Sequence, residues 1–433
     1  MVPFARSDFI SPAQLIYWRW LLWRSQYFPE EKLEWLQSRL LISMLEHCFI
    51  HVPWYRAQLD RLGIKSPVVK HREIFYQLPI LKKQDLASHG DDLKADGFEK
   101  YGPKLVHTTG STGSPMRTYW DKRSNVLELI CQWRQNFWFG YRLGMPFLDI
   151  RNYHSHLKEK VLWNPACRSL ETSIRFWDEV NIEECARLLR TYKIKFWRGH
   201  PGALYQLACF FQEKGIEDIR PLGIVTVGEK QLEFQRIFME NWIGRPVGDN
   251  YGLTEHTAMF CKCPHGNFHI ASEYGFVEIL KEDGSPAGPG EEGRIISTGL
   301  HNKAFPLLRY DTGDYAVVSG ETCSCGRTLP LVREFVGRVD DHVFDAEGRK
   351  LAGLHRVFRY LRGIRCSQIV QSVRGELDVY VVPNRDFNQT IKEEIERGFL
   401  CELEDRMRFD LHIVKTLPYA DSRKTKFIVS LIR

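Results

Sequence analysis

The stretch HTTGSTGSPM (107–116) sets glycines among hydroxyls: Gly110 and Gly113 between Thr108, Thr109, Ser111 and Thr112. Glycines let backbone N–H groups approach an anion, and hydroxyls add donors, so the composition suits a phosphate. It is not a P-loop, because Ser114 stands after Gly113 where that pattern needs lysine, and it lacks the dinucleotide spacing G-x-G-x-x-G. A Ser/Thr/Gly surface turn would carry the same letters. A second concentration, CKCPHGNFH (261–269) with CSCG (323–326), places four cysteines and two histidines in two knots. Thiolates at C-x-C spacing with a Cys/His set are typical of a closed, tetrahedral structural Zn²⁺ site, and a reduced metal-free cluster is the alternative. Near the end, SRKTKF (422–427) is a short basic patch.

Three further segments follow in order: DNYGLTEHT (249–257), RYDTGD (309–314) and GRVDD (337–341). Together with the Thr/Gly loop they resemble the adenylate-forming (AMP-binding) superfamily, and VPWYR (52–56), FPLLRYDTGD (305–314) and TCSCGR (322–327) resemble its phenylacetate–CoA ligase/CapK-like group. The resemblance implies ATP and Mg²⁺ as cofactors, with coenzyme A as one acyl acceptor. It implies that Thr108, Thr109, Gly110, Ser111, Thr112 and Gly113 wrap the β- and γ-phosphates. Gly228 and Glu229 would lie against the adenine, Tyr251 beside Gly252 would stack on the purine, and Thr254 would bond the α-phosphate. Glu255 would hold Mg²⁺, a role suited to a hard carboxylate oxygen. Asp314 would accept the ribose hydroxyls, as an acceptor-only group does well, and Arg338 would reach the same region. The catalytic lysine falls on Lys424, with Lys426 a close alternative. Arg423 stands where the family has glycine. For zinc the resemblance favours Cys263, His269, Cys323 and Cys325; Cys261 could replace Cys263, and His265 could replace His269.

These residues need elements to position them. The spacing predicts helices over 15–28, 29–49 (ended by Pro53), from Ser124 as N-cap, and over 201–215 and 388–405. Short strands such as KIKFWRG (193–199) and GIVTVGE (223–229) alternate with helices, which predicts an α/β layered arrangement. A β-rich stretch, 274–337, contains the turn-dense loop 282–293. The fold class expected is mixed α/β: a large adenylating domain over 1–337 with layered sheets and a β-barrel-like portion, then a small mobile α+β domain over 338–433 beyond a hinge at Asp340.

At 433 residues the chain exceeds one ordinary core. A formal charge of +6 gives no nucleic-acid footprint. Eleven scattered cysteines and no secretory leader favour a reducing cytoplasm. No apolar run is long enough to span a membrane. LIYWRWLLWRSQYF (15–28) is aromatic and basic; packing on the protein is the first expectation for it, and peripheral membrane contact the second. The expected activity is ATP-dependent activation of a carboxylic acid through an acyl-AMP. The acyl group then passes to coenzyme A or, as the CapK likeness allows, to an amine such as an amino sugar. A catalytically silent nucleotide-binding scaffold is the reading from another class. Residues 140–160 and His200 to Tyr205 are candidates to line the acid pocket, where Arg142, Arg151, His154 and His156 would supply positive charge suited to a polar or anionic acid; a solvent-facing position is the alternative for them.

Overall fold

The structure, a computed structural model, describes residues 11–64, 73–107, 117–151, 161–173, 179–338, 342–352, 354–358, 361, 363–404, 406–419 and 427–432. It forms two compact units, Met1–Trp138 with Asn250–Phe335, and Phe139–Asp249 with Val336–Arg433. The expected 338–433 domain therefore falls in a unit with residues 139–249.

In the first unit, strands run in the order Gly275–Leu280, Glu292–Gly299, Tyr310–Val318, Leu331–Arg338, Phe268–Ile270, Met259–Lys262. The turn-dense loop 282–293 joins the first two as an antiparallel hairpin. Helices Pro12–Ser25, Glu30–His51 and Lys122–Trp138 belong to this unit, and the last is its polar spine. Arg134 on it donates to Glu273 and to the Leu22 carbonyl, and Ser25 also bonds Glu273. The ion pair measures 2.8 Å, with both side chains almost wholly withdrawn from water. The backbone carbonyl of Glu273 accepts from His301 Nε2 at 2.7 Å.

Two local expectations shift by a few residues. Pro53 does not merely end a helix; it opens the next one, Pro53–Arg61, at a position where its missing N–H costs nothing. Ser124 lies inside the helix Lys122–Trp138, and Asp121 caps it by accepting from Ser124 N at 2.7 Å.

In the second unit, Gly223–Val227, Phe196–Gly199, Phe147–Arg151 and Ser169–Ser173 are successive parallel neighbours, with Val161–Asn164 antiparallel at the edge. Helices Glu179–Thr191, Pro201–Glu213 and Glu233–Ile243 alternate with them. Residues 364–430 form a second sheet in the order Arg408–Ile413, Glu376–Pro383, Ile364–Gln371, Ile428–Ser430, with the helix Gln389–Leu403. Tyr205 is a core residue here, its hydroxyl donating to the Ile364 carbonyl. Arg142 sits in an exposed turn and donates to the neighbouring Tyr141 carbonyl, Arg151 closes its strand, and His154 and His156 lie outside the described residues.

Two predictions follow from the buried charges and imidazoles. Arg134→Met strands a buried carboxylate and should cost about 3–5 kcal/mol in urea unfolding, while Arg134→Met with Glu273→Met should recover most of that loss. Burial pushes His256 and His301 down to about 3 and His47 to about 4. Each folded pKa is depressed, so the stability from neutral burial is complete above the ordinary value near 6.5. It drains as pH falls from there toward the folded values. His256→Asn should flatten the slope of unfolding free energy between roughly pH 6.5 and 4 by about 1.4 kcal/mol per unit, read from urea titrations at several pH values.

Candidate active site and cysteine–histidine cluster

The two motif groups of the first unit meet through hydrogen bonds that span the chain. Tyr251, near the end of the strand Gly248–Gly252, donates to Asp314 Oδ2 at 2.6 Å. Its ring stacks on Phe335 with centroids 4.6 Å apart and planes 14° from parallel, and Phe260 meets it edge-on. Tyr251 thus stands stacked with a second ring, Phe335. Glu255 is buried and its Oε1 accepts from Tyr310 at 2.8 Å, which fixes the carboxylate's direction. Trp120 donates from its indole to the Thr254 carbonyl at 2.6 Å and stacks on His256 at 4.3 Å.

The RYDTGD segment is held residue by residue. Arg309 donates to the Tyr76 and Leu78 carbonyls, both at 2.8 Å, and bidentately to Glu278 at 3.0 and 3.1 Å. Asp311 accepts from Arg294 and from Gly313 N, Thr312 bonds the Ile295 carbonyl, and Asp314 N donates to Thr312 Oγ1. Both Arg309 (φ 49°) and His256 (φ 57°) hold left-handed backbone, costly for residues with a Cβ and sustained only where surroundings over-determine it. They flank Tyr310 and Glu255, the pair that bond each other.

The second unit holds the remaining described candidates. Gly199 brings its strand so close to Phe147–Arg151 that a Cβ there would lie 1.9 Å from the Ile150 carbonyl oxygen. The chain then turns at His200, whose N donates to that oxygen at 2.9 Å and whose Nδ1 lies 3.4 Å from Glu229. Gly228 has φ +81°, and a Cβ on it would press to 3.2 Å from His200 Nε2, so glycine is required on both counts. Thr226 donates to Asp249 at 2.6 Å, tying the GIVTVGE strand to the start of the next motif. Arg338 closes the strand Leu331–Arg338. The loop 108–113, Lys424 and Lys426 lie outside the described residues.

Cys263, His269, Cys323 and Cys325 come together, each offering a ligand atom within 4.8 Å of the others. Cys263 Sγ and Cys323 Sγ are 3.6 Å apart, and Cys325 Sγ and His269 Nε2 are 3.3 Å apart. Tetrahedral edges around Zn²⁺ with ordinary Zn–S and Zn–N bonds would be about 3.5–3.8 Å, close to these two edges. His269 Nδ1 donates to the Leu329 carbonyl at 3.3 Å, which leaves Nε2 as the lone-pair nitrogen facing the sulfurs. Burial holds this imidazole neutral, its pKa down to about 4. Burial pushes the Cys263 thiol up to about 12; at Cys323 burial is outweighed by hydrogen bonds from the Cys325 backbone and Asn267, which lower it. The two alternatives sit elsewhere: Cys261 is bonded by Asn250 within the core, and exposed His265 pairs with Ser324.

Phe335, Tyr310, Trp120 and Arg309 were not assigned site roles from sequence. Arg309 alone left a signal, a single cation inside the apolar run FPLLRY.

No family model matches the chain. Among curated proteins it is 26% identical over 321 residues to a phenylacetate–coenzyme A ligase of Thermus thermophilus, covering 72% of each chain. It is 23% identical over 334 residues to the phenylacetate–coenzyme A ligase of Escherichia coli, again with 72% of each covered. Among solved structures, 2-hydroxyisobutyryl-CoA ligase in its postadenylation state superposes with TM-score 0.73 at 16% identity, over 99% of this chain and 94% of that one. An anthranilate CoA ligase bound to anthranoyl-AMP gives TM-score 0.51 at 13% identity, over 74% and 65%. The structural likeness carries the mixed α/β fold. With its motifs gathered as described, the chain is similar in sequence to phenylacetate–coenzyme A ligases and in fold to 2-hydroxyisobutyryl-CoA ligase.

Proposed function

We propose that the protein activates a carboxylic acid with ATP and passes the acyl group to coenzyme A. The observation that carries this reading is the Tyr251–Asp314 bond, which joins the YGLTEH and RYDTGD motifs across 63 positions at 2.6 Å. A stacked aromatic with an acceptor carboxylate at its edge suits a nucleoside, the ring taking the base and Asp314 the ribose hydroxyls. In the first step a carboxylate oxygen attacks the α-phosphorus, the bond to the bridging oxygen breaks, and pyrophosphate leaves. In the second, the coenzyme A thiolate attacks the acyl carbon and AMP departs with the carbon–oxygen bonding pair. Glu255, directed by Tyr310, would hold Mg²⁺, whose charge offsets that of the phosphates. Thr254 would bond the α-phosphate, Thr108–Gly113 would grip the departing pyrophosphate, and Gly228 and Glu229 would border the adenine. Arg338 would reach the ribose region. Lys424, or Lys426 beside it, would neutralise charge growing on the carboxylate and phosphate in the transition state. Residues 338–433 would act as a lid, turning at Asp340 between the two half-reactions.

ATP–pyrophosphate exchange with a panel of carboxylic acids tests this reading. One or more acids should support exchange, and coenzyme A should then give the matching thioester by mass spectrometry. Exchange with coenzyme A left unacylated would point to an amine acceptor; no exchange with any acid would reduce the chain to a nucleotide-binding scaffold. Tyr251→Phe keeps the stack on Phe335 but drops the bond to Asp314, and should raise KM for ATP up to about tenfold. Asp314→Ala should depress exchange by about 10–100-fold, as losing hydrogen bonds to a charged acceptor does.

We further propose that Cys263, His269, Cys323 and Cys325 hold a structural Zn²⁺ that staples the 261–269 hairpin to the 323–326 turn. Purified protein should contain about one zinc per chain by elemental analysis. Cys323→Ser should lose the metal and melt at lower temperature; unchanged metal content in that variant would move the site elsewhere.

A further inference from the structure

The helix Pro12–Ser25 has two apolar faces, and only one of them is buried; on the other, Trp23 meets Phe137 edge-on at 5.6 Å and otherwise faces out. Trp18, Leu21, Leu22 and Ser25 are buried. On the other side Ile16, Trp20 and Trp23 recur at i, i+4 and i+7 and are 69%, 54% and 50% exposed. At roughly 100° per residue these three fall in one narrow stripe, with Arg19 along one border and Arg24 along the other. Both arginines are exposed, and the Arg24 guanidinium lies 5.8 Å from the Trp20 ring centroid. Tyr17, also exposed, stands beside the stripe, and the helix PAQLIYWRWLLWRS carries no acid.

This arrangement matches one kind of environment. At 14 residues the helix is too short to cross a bilayer, which takes about 20, and none of the described helices is long and apolar enough to do so. Indole rings settle at the boundary between water and hydrocarbon, where an apolar body and a polar N–H are both satisfied. Arginines flanking such a stripe lay their stems along it and lift their charged ends to the phosphate level. A protein partner would meet the same rings, but cations on both borders with no interspersed acid favour a continuous anionic surface over a mixed one. We propose that this helix lies on an anionic phospholipid surface, with Ile16, Trp20 and Trp23 at headgroup depth and Arg19 and Arg24 on lipid phosphates.

The test is vesicle flotation of the full chain, using phosphatidylcholine alone and phosphatidylcholine mixed with phosphatidylglycerol. The protein should float with the mixed vesicles, less so as salt rises, and hardly with the neutral ones. Trp20→Gln with Trp23→Gln should weaken that binding by at least about tenfold, since two half-exposed indoles carry the contact. Circular dichroism should stay unchanged and melting fall only slightly, because both rings are half exposed and only the edge contact of Trp23 with Phe137 is lost. Arg19→Gln with Arg24→Gln should erase the preference for the anionic lipid. Absence of flotation, or flotation unaltered in the tryptophan variant, overturns the proposal. So does wild-type self-association in ultracentrifugation that the tryptophan variant abolishes, which would make a second copy of the chain the occupant. Acid-dependent exchange reads the catalytic function separately, so either idea can fail without the other.

Discussion

The ion pair between Arg134 and Glu273 is the interaction on which the first unit depends. Two opposite charges out of water are costly unless each finds its full set of partners. Here the guanidinium also takes the Leu22 carbonyl, and the carboxylate also takes Ser25, so three segments distant in sequence converge on one point. The helix carrying Arg134 repeats the device one residue on. Gln135 donates to the Lys262 carbonyl and accepts from Asn250, fixing the start of the YGLTEH motif against the strand that leads into the cysteine knot. Trp138 at the end of that helix donates to Gln26 and lies under Arg327 at 4.0 Å, beside the same knot.

From that frame the site inherits stiffness. Asp314 and Tyr251 belong to segments that are hydrogen-bonded along their whole length, and the left-handed residues Arg309 and His256 are each trapped by several contacts. Local conformations this unfavourable persist only when the surroundings insist on them, and they hold Tyr310 and Glu255 at 2.8 Å. In the proposed function, a nucleotide met by such groups would need little rearrangement of the protein, which is how positioned donors and acceptors lower a barrier. The cysteine–histidine cage extends the same logic to two loops that lack a core of their own.

Much of this was legible in the letters. Four motifs in order, the C-x-C knots, and helices such as Glu30–His51 and Pro201–Glu213 are local patterns, set by spacing and by where proline and glycine fall. The four residues the structure gathers at the knots, Cys263, His269, Cys323 and Cys325, could be named from the family likeness. Where reading by neighbours failed, the deciding partner was a few positions away. Asp121 won the cap from Ser124, and Pro53 began a helix as well as ending one.

The sequence by itself determined the family resemblance, the local elements and the chemical types available: a hydroxyl-rich glycine loop, acceptor carboxylates, thiols paired with imidazole, and an aromatic helix. Only the tertiary structure decided which of them touch. That Phe335 backs Tyr251, that Tyr310 directs Glu255, that Arg309 clamps the RYDTGD strand, and that one aromatic stripe of the first helix stays outside are all consequences of long-range packing. The physical reason is that propensity and periodicity act over a turn or a strand. Burial and hydrogen-bond satisfaction are settled only when distant segments exclude water together.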